Sequence, residues 1–170
     1  MIFDLLLYVL LIRCISNVGE EKILPKIPSI SHSIEVEKKD DRIEKLSKFF
    51  RSYNSELAGE SATFVKVSDE YSIDWRTLPS IAMVESTGGK NTPSCARFNP
   101  FGWSSRTSPC GFYRFQSYRE SIEHVAQKIG TGKTYSAFQS TGEISELAKK
   151  YNPGEADDWT WKVNYFIKKI

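Results

Sequence analysis

Histidine is scarce in this 170-residue chain: only His32 and His124 occur, far apart in sequence. The three cysteines form no Cys-x-x-Cys pair, and no His-Glu-x-x-His segment is present. A zinc or iron site is therefore not expected, and nothing calls for a metal or a cofactor. Charge of one sign is also lacking. The net charge is +2 with a pI near 8.3, so no nucleic acid or other polyanion is expected as partner. No internal repeat is visible. The longest apolar run, Leu5 to Ile12, is too short to span a membrane as a helix. One further absence matters later: residues 86–116 contain no Asp or Glu at all.

What is present begins with aromatics, 13% of the residues, most of them after residue 95. Rings in that number suit a packed core, and they also suit stacking on the flat faces of sugars. Of the cysteines, Cys95 and Cys110 flank 14 residues rich in Pro, Ser and Gly. In an oxidising compartment they would form a disulfide worth roughly 3 kcal/mol; the alternative is two free thiols. Residues 1–16 read as a signal or membrane-associated segment. Asp4 stands where a signal would carry a basic residue, but Cys14 and Ser16 supply small residues for cleavage before Asn17. The alternative is an apolar segment packed on the domain. An extracytoplasmic location, in the cell envelope or secreted, is expected.

Residues 17–41 read as a linker, with Pro25, Pro28, several serines and a charged run. From residue 42 to 170 the pattern is that of one mostly α domain. Ile43, Leu46, Phe50 and Tyr53 mark a helix face that Gly59 would break. Phe64, Val67 and Tyr71 mark a second helix over about 60–71. Asp74 is a candidate N-cap for a third, with Pro79 in its first turns. Residues 90–116 read as an ordered loop or small hairpin pinned by Phe98, Phe101, Trp103, Phe112, Tyr113 and Phe115. Ser117 and Glu120 form a capping box for a helix closed by Gly130, on which His124 is a surface or packing residue. A short helix runs from Glu143 to Tyr151. Asp157 or Asp158 caps a last one, with Trp159 or Trp161, Val163, Phe166, Ile167 and Ile170 as its apolar positions.

The third helix carries the sharpest signal. Leu78, Ile81, Ala82 and Glu85 share one face, three of them apolar and the fourth an acid, and Gly88 and Gly89 then end the helix. Glu85 would sit near the negative end of the helix dipole. Desolvation and the dipole both disfavour its charged form, which keeps a carboxyl protonated for general-acid work. The plain alternative is a solvated glutamate on a face misjudged by a residue or two.

Glu85-Ser86-x-x-Gly89-Lys90, followed by Asn99-x-Phe101-Gly102, resembles the bacterial β-N-acetylglucosaminidases of glycoside hydrolase family 73. Phe115-Gln116-Ser117-Tyr118 with Glu120-Ser121-Ile122 extends the likeness, as does Tyr151, so that it covers roughly residues 58–170. The resemblance implies a lysozyme-like fold and cleavage of a β-1,4 bond in the glycan strand of peptidoglycan by a monomer. Glu85 would be the catalytic acid and Tyr151 the cleft tyrosine. Ser86, Asn99, Phe101 and Trp103 would belong to the sugar groove. For Phe101 and Trp103 the alternative is core packing, for Tyr151 helix packing, and for Asn99 a turn that bonds its own backbone.

Glycoside hydrolysis usually takes two carboxylates, and no second one can be assigned here. Glu120, Glu123, Asp157 and Asp158 fall where they would cap or solvate helices. Three outcomes stay open: a distant carboxylate activating water, attack by the substrate's own N-acetyl group, or Glu85 acting alone as a lytic transglycosylase. A non-catalytic glycan-binding module is the reading from another class.

Overall fold

The computed structural model describes residues 40–170. The expected signal segment, Cys14, His32 and nearly all of the expected linker lie outside the described residues. Seven α-helices account for most of the described chain: α1 (Asp41–Ser52), α2 (Ser61–Glu70), α3 (Thr77–Ser86), α4 (Tyr118–Thr131), α5 (Ser136–Thr141), α6 (Ile144–Tyr151) and α7 (Ala156–Ile167). Short 3-10 turns cover Glu56–Glu60, Ser94–Ala96 and Lys133–Tyr135. The expected mostly α class holds, and among the described residues no strand forms. None of these helices is long and apolar enough to cross a membrane.

α1 starts inside the expected linker. The Asp40 carboxylate accepts the Arg42 backbone N–H at 3.0 Å and caps it. Leu46, Phe49 and Phe50 carry its burial, while Ile43 and Tyr53 are half-buried. Gly59 does not end this helix; the chain turns earlier, at Tyr53 and at Asn54 with its positive φ of 54°. α2 buries Phe64, Val65 and Val67 as one stripe.

α3 departs most from its expected form. The sequence marks one apolar face, Leu78, Ile81 and Ala82, yet Thr77 to Met83 are buried without a break. A helix apolar on all sides belongs in the middle of a fold, and α3 packs chiefly on α7 and also on α2. Leu78 and Ile81 have no exposed surface, and each such side chain contributes about 1.5–3 kcal/mol by leaving water. Asp74 is not the N-cap of α3: that position is Arg76, and no side chain caps the helix. The Asp74 carboxylate takes the Arg76 N–H at 2.9 Å and its carbonyl the Thr77 N–H at 2.8 Å, shaping the turn before the helix. At the other end the left-handed turn begins one residue before the glycines, at Thr87 with φ 55°.

The capping box at α4 is shifted by one residue. Ser117 Oγ accepts the Glu120 N–H at 3.1 Å, and the Glu120 carboxylate accepts the N–H of Gln116 rather than that of Ser117, at 2.6 Å. Gly130 does not close α4, which runs on to Thr131. It is the point of closest approach to Tyr71: a Cβ there would meet the Tyr71 Cβ at 2.5 Å. Asp157 and Asp158 lie in the first turn of α7, whose N-terminal residue is Ala156, so neither is its cap. Asp158 instead pairs with Lys162 one turn on, at 2.5 Å. Of the two tryptophans, Trp159 faces inward at 2% exposure and Trp161 outward at 66%.

Candidate active site

Glu85 is the last residue but one of α3, where the buried helix first approaches solvent, and it is half-buried. Its Oε1 accepts a hydrogen bond from Trp159 Nε1–H at 2.7 Å. Its Oε2 faces Gly102, where a Cβ would stand only 3.2 Å away and where φ is +62°. Glycine at 102 therefore answers two demands, a left-handed backbone and room for the carboxyl. Burial pushes the Glu85 carboxyl above its ordinary range, and the Trp159 hydrogen bond opposes part of that rise. The direction is the one expected from the sequence, with desolvation as its main cause.

The loop that brings Gly102 to Glu85 is held by polar side chains. The Ser86 hydroxyl takes the Gly89 N–H at 2.8 Å and lies 2.7 Å from the Pro100 carbonyl and 3.1 Å from that of Ala82. Asn99 accepts the Trp103 N–H at 2.9 Å and donates to the carbonyls of Trp103, at 2.9 Å, and Tyr113, at 3.0 Å. Beyond Trp103 the loop folds back on itself through one isolated antiparallel bridge, Ser104 with Phe112. Cys95 and Cys110 lie at disulfide distance, with Cα atoms 6.6 Å apart.

These bonds decide where the expected sugar-binding residues stand. Ser86 (3% exposed) and Asn99 (1% exposed) are buried and engaged with the backbone. Phe101 is fully buried and packs edge-on against Phe64. The structure thus puts all three behind the cleft rather than on its surface, and only Trp103 of the four is on the wall.

The cleft itself is open, about 260 Å³, and lined by Gly102, Trp103, Ser104, Tyr135, Lys150 and Tyr151. Glu85 is not itself a lining residue; its Oε2 stands beside Gly102, which is. Tyr151 is stacked on Trp159 with ring centroids 5.2 Å apart, and its hydroxyl donates to the Phe101 carbonyl at 2.7 Å. Burial and the nearby Glu85 hold that phenol well above its usual range, so it stays protonated. Trp103 meets the Tyr151 ring at 5.9 Å and His124 at 5.9 Å, and His124 lies against Tyr113 and Phe115. His124 is thus a packing residue whose ring is kept neutral chiefly by burial.

Two residues here escaped the sequence reading. Trp159 stands in the sequence reading only as an alternative to Trp161 among the apolar positions of the last helix, although an indole buried with its N–H needs an acceptor. Tyr135, in a turn to which no element had been assigned, brings its hydroxyl to the cleft. No carboxylate is among the cleft-lining residues, whose charged member is Lys150. A larger groove of about 380 Å³ between α2 and α4 does carry acids, Glu70, Glu120 and Glu123, but it does not include Glu85. Among the described residues no group of three or more His, Cys, Asp and Glu is placed so as to hold a metal ion.

Fold and site together define a mostly helical domain with one desolvated carboxyl at the edge of an aromatic cleft. Comparison with known proteins returns no matching family, no matching curated protein and no matching solved structure.

Proposed function

We propose that this domain is a peptidoglycan-cleaving glycosidase of lysozyme-like type, with Glu85 as its general acid. The observation that carries the reading is the state of that carboxyl: desolvated, engaged by one indole donor at Oε1, and with Oε2 beside Gly102, a residue of the cleft that Trp103 and Tyr151 also line. A neutral carboxyl in that position donates its proton to the glycosidic oxygen as the C1–O bond breaks. The likeness of Glu85-Ser86-x-x-Gly89 and Asn99-x-Phe101-Gly102 to family 73 glucosaminidases supports the choice of substrate. The paired Cys95 and Cys110 support action in an oxidising, extracytoplasmic setting.

Among the described residues no second carboxylate lines the cleft or acts on Glu85, which favours a second outcome, with Glu85 as sole acid and base. The proton passes from Glu85 to the leaving oxygen, which takes the bonding electrons. The sugar's own C6 hydroxyl then attacks C1 and returns its proton to the Glu85 carboxylate. No water is consumed, and the product ends in a 1,6-anhydro sugar. Mass spectrometry of fragments from purified cell walls distinguishes the two, reducing ends for hydrolysis and anhydro ends for transglycosylation. Glu85→Gln should retain the fold and lose activity by roughly 10²–10⁴-fold. Lysis by that variant at the wild-type rate would remove Glu85 from the role. Wall binding with no released fragments from the wild type would leave a glycan-binding module.

A further inference from the structure

Glu85 and Trp159 lie 74 residues apart in sequence, and the hydrogen bond between them joins α3 to α7. An indole N–H can only donate. It therefore occupies a lone pair of Oε1 and does not accept the carboxyl proton. In a neutral carboxyl the carbonyl oxygen is the stronger acceptor, so a fixed donor at Oε1 favours the proton on Oε2. Oε2 is the oxygen beside Gly102, at the edge of the cleft.

The donor is itself held. Trp159 is 2% exposed, its ring is stacked on Tyr151, and the Tyr151 hydroxyl is bonded to the Phe101 carbonyl of the loop. The relay from Phe101 through Tyr151 and Trp159 to Glu85 thus joins the loop, α6, α7 and α3. Each member has its orientation set by the one before.

We propose that Trp159 is the positioning residue of the acid: its N–H fixes Glu85 in the orientation that leaves Oε2, the oxygen beside Gly102 of the cleft, as the proton-bearing one. This rests on the reading of Glu85 as a general acid. The contact has a second consequence. Burial keeps the carboxyl protonated but also resists its ionisation in the reaction. The indole N–H stabilises the carboxylate once the proton has left, and so limits that resistance. Among the described residues the shift of Glu85 arises from burial, opposed by this bond. The titratable groups around it are the phenols of Tyr151 on α6 and Tyr135 in the preceding turn, with Lys150 on the far wall and His124 of α4 beyond the Trp103 ring. From the loop no acid faces it. On α7 Asp158 is engaged by Lys162 and Asp157 is exposed, and on α2 Lys66, Asp69 and Glu70 are exposed.

The test uses Trp159→Phe in the full chain, which keeps a ring against Tyr151 and removes the N–H. The Glu85 carboxyl is titrated by carbon NMR in the wild type and in the variant, and wall cleavage is followed against pH. The expected result is a Glu85 titration moved to higher pH. The basic limb of the activity profile moves with it, kcat falls at least tenfold, and KM stays within about twofold. A folded variant whose Glu85 titrates as in the wild type overturns the proposal and leaves Trp159 as packing alone. Should Trp159→Phe not fold, the wild type supplies the same answer. The Trp159 indole N–H resonance must shift with the ionisation of Glu85, and that shift must vanish in Glu85→Gln. An indole signal indifferent to pH in the wild type overturns the proposal. If the titrations behave as expected but the wild type releases no wall fragments, the glycosidase reading fails and the carboxyl–indole coupling stands.

Discussion

α3 and the loop over residues 90–116 meet at Glu85 and Gly102, and they are held in place by opposite means. α3 is anchored by apolar burial: Leu78, Ile81 and Ala82 have no exposed surface. The loop has little regular structure, and its path is set by the few side chains that hydrogen-bond backbone, chiefly Ser86 and Asn99. Burial is strong but does not specify direction, whereas hydrogen bonds are individually modest and fix geometry closely. The acid comes from the strongly buried element. The backbone that must stand close to it without touching comes from the directionally bonded one.

That contrast can be broken from either side. The largest effect is expected from Ile81→Ala, which opens a cavity in the fully buried helix. It should cost about 2–5 kcal/mol and lower the cooperative unfolding transition seen by circular dichroism. Asn99→Ala should cost less, about 1–3 kcal/mol for unpaired buried backbone groups. It should also act locally: amide hydrogen exchange speeds up at Trp103 while the amides of α3 and α4 keep their protection. Uniform loss of protection across α3 and α4 would mean that loop and helices form one cooperative unit.

The smallest effect concerns Glu85 itself. Its folded pKa is raised by burial above the ordinary value of 4.5, so the folded state holds the proton more tightly than the unfolded chain. Stability from this group is therefore full below about pH 4.5 and declines as pH rises through the folded pKa. Glu85→Gln carries no such dependence. The melting temperatures of variant and wild type should be similar near pH 4, with the variant ahead near pH 8. A variant equally stable, or less stable, at the higher pH would show that burial does not disfavour the charged form.

The helices most legible in sequence are those with one wet face. The sequence locates α2, α4 and α6 to within a residue or two, and α1 by its start and buried face though not by its end, because half of each faces water and the pattern records it. α3 is visible as an apolar run but not as a central helix, since burial on all sides erases the period. α5, with six residues and Phe138 as its buried member, is too short to carry a period. The inward choice between Trp159 and Trp161 depends on where α7 begins, and with no capping side chain at Glu155 nothing local marks that start. In the site, the raised pKa of Glu85 was readable because the apolar run that carries it announces the burial that causes it. The partner at Trp159 was not, because the contact belongs to the tertiary fold. Ser86 and Asn99 stood out for their chemistry, but residue type alone does not distinguish a side chain that binds sugar from one that holds the loop.

Cys95 and Cys110, once joined, close the chain between them into a covalent ring, and Asn99, Phe101, Gly102 and Trp103 all lie on it. The ring is sewn to the rest of the protein at Ser86 and Tyr151 through the carbonyls of Pro100 and Phe101. A protease that cut the exposed peptide at Arg106 would turn the ring into two tethered arms without freeing either end. The arm bearing Gly102 would keep its stitches to α3 and α6. The cleft wall at Gly102 and Trp103 is thereby made tolerant of a broken backbone.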